Sequence, residues 1–234
     1  MNFASIRNRI IQSRYPNIKI FFIGFNKCGT TALHHLLMSS AIRSVHFEYR
    51  CRSVFRLKPR MRLVEGRTNN LALDIEQSLL RGWPSSALHS FTAFSDICFY
   101  SDAIQLESNR HFQQLDRLFP ESYFILNDRD PERWIRSRVR HSKGTMLKRA
   151  MAYYGGSEAD VCAIWRRDRE EHNAAVLDYF QSNSRFLHFK IDSDPVEKLA
   201  AHLKPHFSLN LSAWRAVNVT TSQSLRPASA ASDL

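Results

Sequence analysis

Apolar residues in this chain fall in short runs whose period changes from strand-like to helix-like and back. Residues 18–23 form an apolar run interrupted only by Lys19, which predicts a buried strand. Over 30–40, Leu33, Leu36 and Leu37 recur at helical spacing and predict an amphipathic helix. Residues 44–49 predict a short second strand, on which His46 and Glu48 would share a face. Leu71, Ile75, Leu79 and Leu80 predict a helix over 70–81, and residues 90–99 a third strand, or strand and turn, ending near Asp96. Ile104, Phe112, Leu115 and Phe119 predict a helix over 102–119. Residues 123–126 predict a further buried strand, after which Asp130 and Pro131 supply an N-cap and a first helical position. A polar region around Gly144, Gly155 and Gly156 is expected to be a mobile cover. A long helix over 158–181, a strand over 185–191 and a helix from Asp194-Pro195 to Leu203 complete the series.

Alternation of this kind predicts an α/β fold, three layers (α/β/α) around a mostly parallel central sheet. Its 234 residues suit one domain over 1–220, and the Ser- and Ala-rich residues 221–234 read as a loose tail. A hydrophobic content of 44% argues against disorder. The longest apolar stretch, 18–25, is too short to span a bilayer, so no integral membrane segment is expected. Arg7, Arg9 and Arg14 are not followed by a signal-peptide core, which leads to an expected cytoplasmic location. Cys28, Cys51, Cys98 and Cys162 lack metal-ligand spacing and read as free thiols, with no metal site expected. The net charge of +11 favours anionic partners, and residues 50–62 hold six basic residues in thirteen. No nucleic-acid-binding motif accompanies that charge, so the stretch is read as lying near an anionic cofactor or acceptor, or as a solvated face.

Candidate chemistry begins at residues 23–31, Ile-Gly-Phe-Asn-Lys-Cys-Gly-Thr-Thr. A strand, a glycine-bracketed turn and a helix start make an anion site from backbone N–H groups and the positive end of the helix dipole. Gly24 and Gly29 keep the spacing of a P-loop, but its lysine normally follows the second glycine. Here Thr30 and Thr31 follow, and Lys27 lies upstream, where it can reach over the outer end of a shorter anion. A second motif spans residues 123–137: Arg129 at the carboxyl edge of a strand, then Ser137 about two turns into a helix. Ligands of open α/β sheets bind along that edge, and a guanidinium grips phosphate through paired hydrogen bonds. The plain alternative pairs Arg129 with Asp128 or Glu132.

In order and spacing, the two motifs resemble those of sulfotransferases that use 3′-phosphoadenosine 5′-phosphosulfate (PAPS), and the likeness extends over about residues 18–192. The resemblance implies a P-loop NTPase-like fold and transfer of a sulfuryl group from PAPS to a hydroxyl or amine. It implies that Gly24, Asn26, Lys27, Cys28, Gly29, Thr30 and Thr31 hold the 5′-phosphosulfate, and Arg129 and Ser137 the 3′-phosphate. Lys27 would assist the leaving group. His46, Glu48, Asp74 and Asp96 are the candidate bases, with His46 favoured and Asp96 resembling a recurring acidic site. The local alternatives are a hydrogen-bonded strand histidine and a turn carboxylate. The acceptor would be a small molecule, glycan or lipid, selected by loops around 50–70, 84–100 and 141–160. Phe91, Phe94, Phe99, Tyr153 and Tyr154 are candidates for an apolar acceptor pocket or for the core. A P-loop kinase with Asp128 as a Mg²⁺-binding carboxylate, a catalytically silent binder of nucleotides or polyanions, and a nucleic-acid-binding protein are the competing readings.

Overall fold

A computed structural model of the chain describes residues 3–50 and 68–215. Helix α1 (Phe3–Arg14) leads into strand β1 (Ile20–Phe22), helix α2 (Thr30–Ser39) and the short strands β2 (Ser44–His46), β3 (Glu48–Arg50) and β4 (Thr68–Asn70). Helices α3 (Leu71–Arg81) and α4 (Ser86–Ser90) precede strands β5 (Ala93–Ser95), β6 (Cys98–Tyr100) and β7 (Gln105–Glu107). Next come α5 (Phe112–Leu118), β8 (Tyr123–Asp128), α6 (Pro131–Arg140), α7 (Thr145–Tyr154), α8 (Glu158–Tyr179), β9 (Phe186–Lys190) and α9 (Val196–Leu203).

Seven strands form one sheet in the order β4-β3-β2-β5-β1-β8-β9. The five from β2 to β9 are mutually parallel, and β3 and β4 continue antiparallel at one edge. The expected α/β class with a mostly parallel, P-loop-like sheet is the observed one. β1 lies at the centre, paired with β5 on one side and β8 on the other. This is the reversal of strand order at which a parallel sheet opens a crevice beyond its carboxyl ends.

Alternation along the strands builds two cores. Phe21, Phe94 and Phe124 stack across β1, β5 and β8, with ring centroids 5.0 and 5.3 Å from Phe21. They pack with Ile75 of α3, Leu115 of α5 and Val176 of α8 on one face of the sheet. Burial of each phenyl ring contributes about 2–3 kcal/mol. Ile20, Phe22 and Ile125 point to the other face, against Leu33, Leu36 and Leu37 of α2 and Leu199 and Leu203 of α9.

Three local expectations need correction. Residues 44–49 are two strands, because the backbone reverses at Phe47 (φ +61°), so His46 and Glu48 oppose one another across a tight hairpin. Residues 102–119 are not one helix. Ser101 Oγ accepts the N–H groups of Ala103 and Ile104, and this local turn returns the chain as β7 alongside β6. The glycine region is not a loose cover: residues Thr145–Tyr154 are helical, and Met146, Leu147 and Ala150 are buried with Trp134 and Trp165. Helix α1 was not expected at all. The tail at 221–234 and all of the basic stretch 50–62 beyond Arg50 lie outside the described residues.

Candidate active site

The candidate residues that come together lie just beyond, or at the end of, parallel strands. Along the sheet from β2 to β9 these ends carry His46, Asp96, the loop at 24–31, Arg129 and Asp192. Residues distant in sequence therefore share one rim.

The loop is held by its carbonyl groups. Ile23 O accepts from Asn109 Nδ2 (3.1 Å) and His172 Nε2 (2.8 Å). Asn26 O accepts from the Trp134 indole (2.9 Å), Lys27 O from Arg129 Nη1 (3.0 Å) and Cys28 O from Asn127 Nδ2 (3.0 Å). Asn127 also accepts the Gly24 N–H at 3.0 Å, so one side chain clamps both ends of the turn. The N–H groups of residues 25–31 meet no acceptor among the described residues. With carbonyls tied back and amides free at the start of α2, the turn has the polarity of an anion cradle.

Two glycines are required by this geometry. A Cβ on Gly24 would lie 1.8 Å from Asn127 O. Gly29, the N-cap of α2, has φ +74°, and a Cβ there would meet the Ile191 side chain at 2.6 Å. Asn26 and Cys28 turn their side chains inward, so they face the cradle through their amides alone. Burial pushes the Cys28 thiol up to about 12, which makes it inert.

Lys27, His46 and Asp96 converge beside the cradle. His46 Nε2 lies 3.2 Å from Thr30 Oγ1, 3.5 Å from Thr31 Oγ1 and 3.5 Å from Asp96 Oδ2. Burial, assisted by the neighbouring His35, lowers the imidazole to about 4, so it is neutral at physiological pH. Burial raises the Asp96 carboxyl to about 6 against the opposing pull of Lys27 and Arg138. Burial also lowers the Lys27 ammonium, while Asp96 supports its charge. Lys27 Nζ reaches His141 Nδ1 at 3.1 Å.

Glu48 is exposed on β3, between β2 and the edge strand β4, and Asp74 accepts the Ser85 hydroxyl beside α4; neither joins this group. Among the aromatic candidates, Phe94 belongs to the core, Phe91 and Phe99 pack against it, and Tyr153 is exposed.

Arg129 does not pair through its side chain with Asp128 or Glu132. Its guanidinium holds Lys27 O and reaches Asp192 Oδ1 at 3.4 Å, and its Nε is buried without a partner. Asp128 is instead bound by Arg169 and by His188 at 3.2 Å. Burial alone would raise this carboxyl, but His188 and Arg169 carry it below its usual value. Asp128 is thus committed to internal partners, unlike the carboxylate of the kinase reading. Ser137 is half-buried on α6, with no hydrogen-bond partner among the described residues.

Sequence reasoning missed Asn127, His141 and Arg138. Asn127 had a signal, an amide at the end of an otherwise apolar strand. Arg138 had none: it is 1% exposed, bonded to Glu107 Oε1 (2.8 Å) and the Tyr100 hydroxyl (2.9 Å), and lies over the Trp134 and Trp165 rings. Among the described residues, no three His, Cys, Asp or Glu side chains gather as a metal site, and no helix is long and apolar enough to cross a membrane.

A search among curated proteins found no match. A family model described as a sulfotransferase domain matches residues 19–153, which include β1, the loop, His46, Asp96, Arg129 and Ser137. That match covers more than half of the chain, and with the fold and the loop it establishes that the chain belongs to the sulfotransferase-domain family.

Proposed function

We propose that this protein is a PAPS-dependent sulfotransferase, a single domain over 1–220, acting in the cytoplasm on the hydroxyl or amine of a small molecule, glycan or lipid. The observation that carries this reading is the convergence of Lys27, His46 and Asp96 beside a turn whose carbonyls are tied back and whose amides are free.

The residues present suit the donor. Free amides at residues 26–31 and the hydroxyls of Thr30 and Thr31 match a 5′-phosphosulfate. Arg129, with an orphaned buried Nε, and the unengaged hydroxyl of Ser137 match a 3′-phosphate. When bound, PAPS supplies an activated sulfuryl group. Lys27 stabilises negative charge on the bridging oxygen of the departing bisphosphate. A proton leaves the acceptor for a nearby base, and Asp96, at about 6, is better matched to that work near neutral pH than His46 at about 4. The preferred base therefore moves from His46 to Asp96. The neutral His46 orients Asp96 and the loop threonines.

Titration calorimetry with 3′,5′-bisphosphoadenosine tests the donor site. Tight binding by the intact chain, and a far larger loss for this nucleotide than for its 3′-hydroxyl counterpart in Arg129→Ala, are expected. Equal losses would remove Arg129 from the 3′ site, and no binding would end the PAPS reading. A radiolabelled-sulfate screen across acceptor classes then identifies the acceptor.

A further inference from the structure

The end of the sheet opposite the loop carries a surface that the transfer chemistry does not use. Helix α1 turns Ile6, Arg9, Ile10, Ser13 and Arg14 to solvent, the spacing of a single helical face. Ile6 and Ile10, one turn apart, are 46% and 58% exposed. The opposite side of α1 is fastened down: Asn8 donates to Ser40 O and Ser208 O, and Gln12 to Ala41 O. The end of α2 adds exposed Met38, and Arg43 follows it. An open concavity of about 580 Å³ lies between them, with Arg9, Met38 and Arg43 in its wall.

The charge here is one-sided. No Asp or Glu occurs in the sequence before Glu48. Arg9, Arg14 and Arg43 form no ion pair among the described residues. We propose that this face docks on an anionic lipid bilayer. Ile6, Ile10 and Met38 enter the headgroup–acyl boundary, and the three arginines meet lipid phosphates. Nucleic acid would leave the isoleucines against a charged backbone, and an apolar protein patch would leave the arginines without counter-charge. A bilayer interface supplies both media in one plane.

Helix α2 runs from the loop to this face, about 15 Å for its ten residues. A docked molecule therefore turns its cleft toward water, and its acceptor arrives from the aqueous side. The docking itself is independent of the sulfuryl-transfer reading.

The test is co-sedimentation of the full chain with vesicles of phosphatidylcholine alone and of phosphatidylcholine mixed equally with phosphatidylglycerol. Binding is expected to the mixed vesicles only. Arg9→Glu with Arg43→Glu should weaken it roughly tenfold or more, and Ile6→Ser with Ile10→Ser should weaken it several-fold without changing charge. Lys148→Glu with Arg167→Glu, exposed positions elsewhere that change the net charge equally, should retain most of it. Failure to bind mixed vesicles, an equal loss in the Lys148/Arg167 variant, or no effect of the serine pair would overturn the proposal. So would a lipid-free dimer abolished by the serine pair, which would assign the face to a second copy. Melting curves check that each variant is folded, and Arg14→Glu gives a second charge reversal on the same face.

Discussion

At the scale of the residue, Asp96 is a carboxylate whose buried surroundings oppose its charge. It sits at φ +58° beyond β5, with Oδ1 buried and unpartnered. Its folded pKa of about 6 lies above its ordinary 3.8, so the folded state binds this proton more tightly than the unfolded state does. The stability cost is absent below about pH 4, grows as pH rises through that window and is complete above 6. Asp96→Asn is therefore expected to raise thermal stability at neutral pH, by about 1–3 kcal/mol. In the same variant turnover should fall about 100-fold or more. A variant no more stable than the parent would show that the buried charge is accommodated. In the parent, the rate should decline as pH falls through about 6, which a pH–rate profile reads directly. Lys27→Ala should keep much of its affinity for the bisphosphate yet lose turnover, and unchanged turnover would remove the lysine from the chemistry.

At the scale of the element, the loop and β8 act as one unit. Asn127 joins Gly24 N–H to Cys28 O, and Gly24 lets the two backbones approach within a distance that no Cβ permits. Asn127→Ala removes two buried hydrogen bonds and should cost about 1–3 kcal/mol in chemical denaturation. Bisphosphate affinity should fall with it, because the amides lose their fixed direction. Gly24→Ala should be worse on both counts, since the added methyl must displace either β8 or the turn. Wild-type affinity in either variant would mean that the turn keeps its shape without the clamp.

At the scale of the whole molecule, parallel strand order brings residues 46, 96, 27 and 129 to one rim, whatever their order along the chain. A ligand spanning that rim links β1, β5 and β8. At a hundred times its dissociation constant, 3′,5′-bisphosphoadenosine should stabilise the fold by about 2.7 kcal/mol. Differential scanning calorimetry should register this as a higher melting temperature, with a smaller rise for the 3′-hydroxyl nucleotide. Identical rises for the two would place the 3′-phosphate outside the cleft.

Much was legible in the chain alone, because its causes are local. Glycine spacing, a strand before it and an apolar stripe after it defined the cradle; the Asp130-Pro131 pair marked the start of α6, where Asp130 accepts the Arg133 N–H. Period likewise located α3, α8 and β9 to within a few residues. Packing decided the rest. The hairpin at Phe47, the return of β7 and the burial of α7 depend on contacts that no local window contains. Which charges are committed is likewise a long-range matter: Arg169 takes Asp128 from 41 residues away, and His172 holds Ile23 O from 149. Sterics and periodicity act between near neighbours in sequence, whereas desolvation and ion pairing act between neighbours in space. The composition of the loop follows from the first pair of causes, and the protonation of the groups around it from the second.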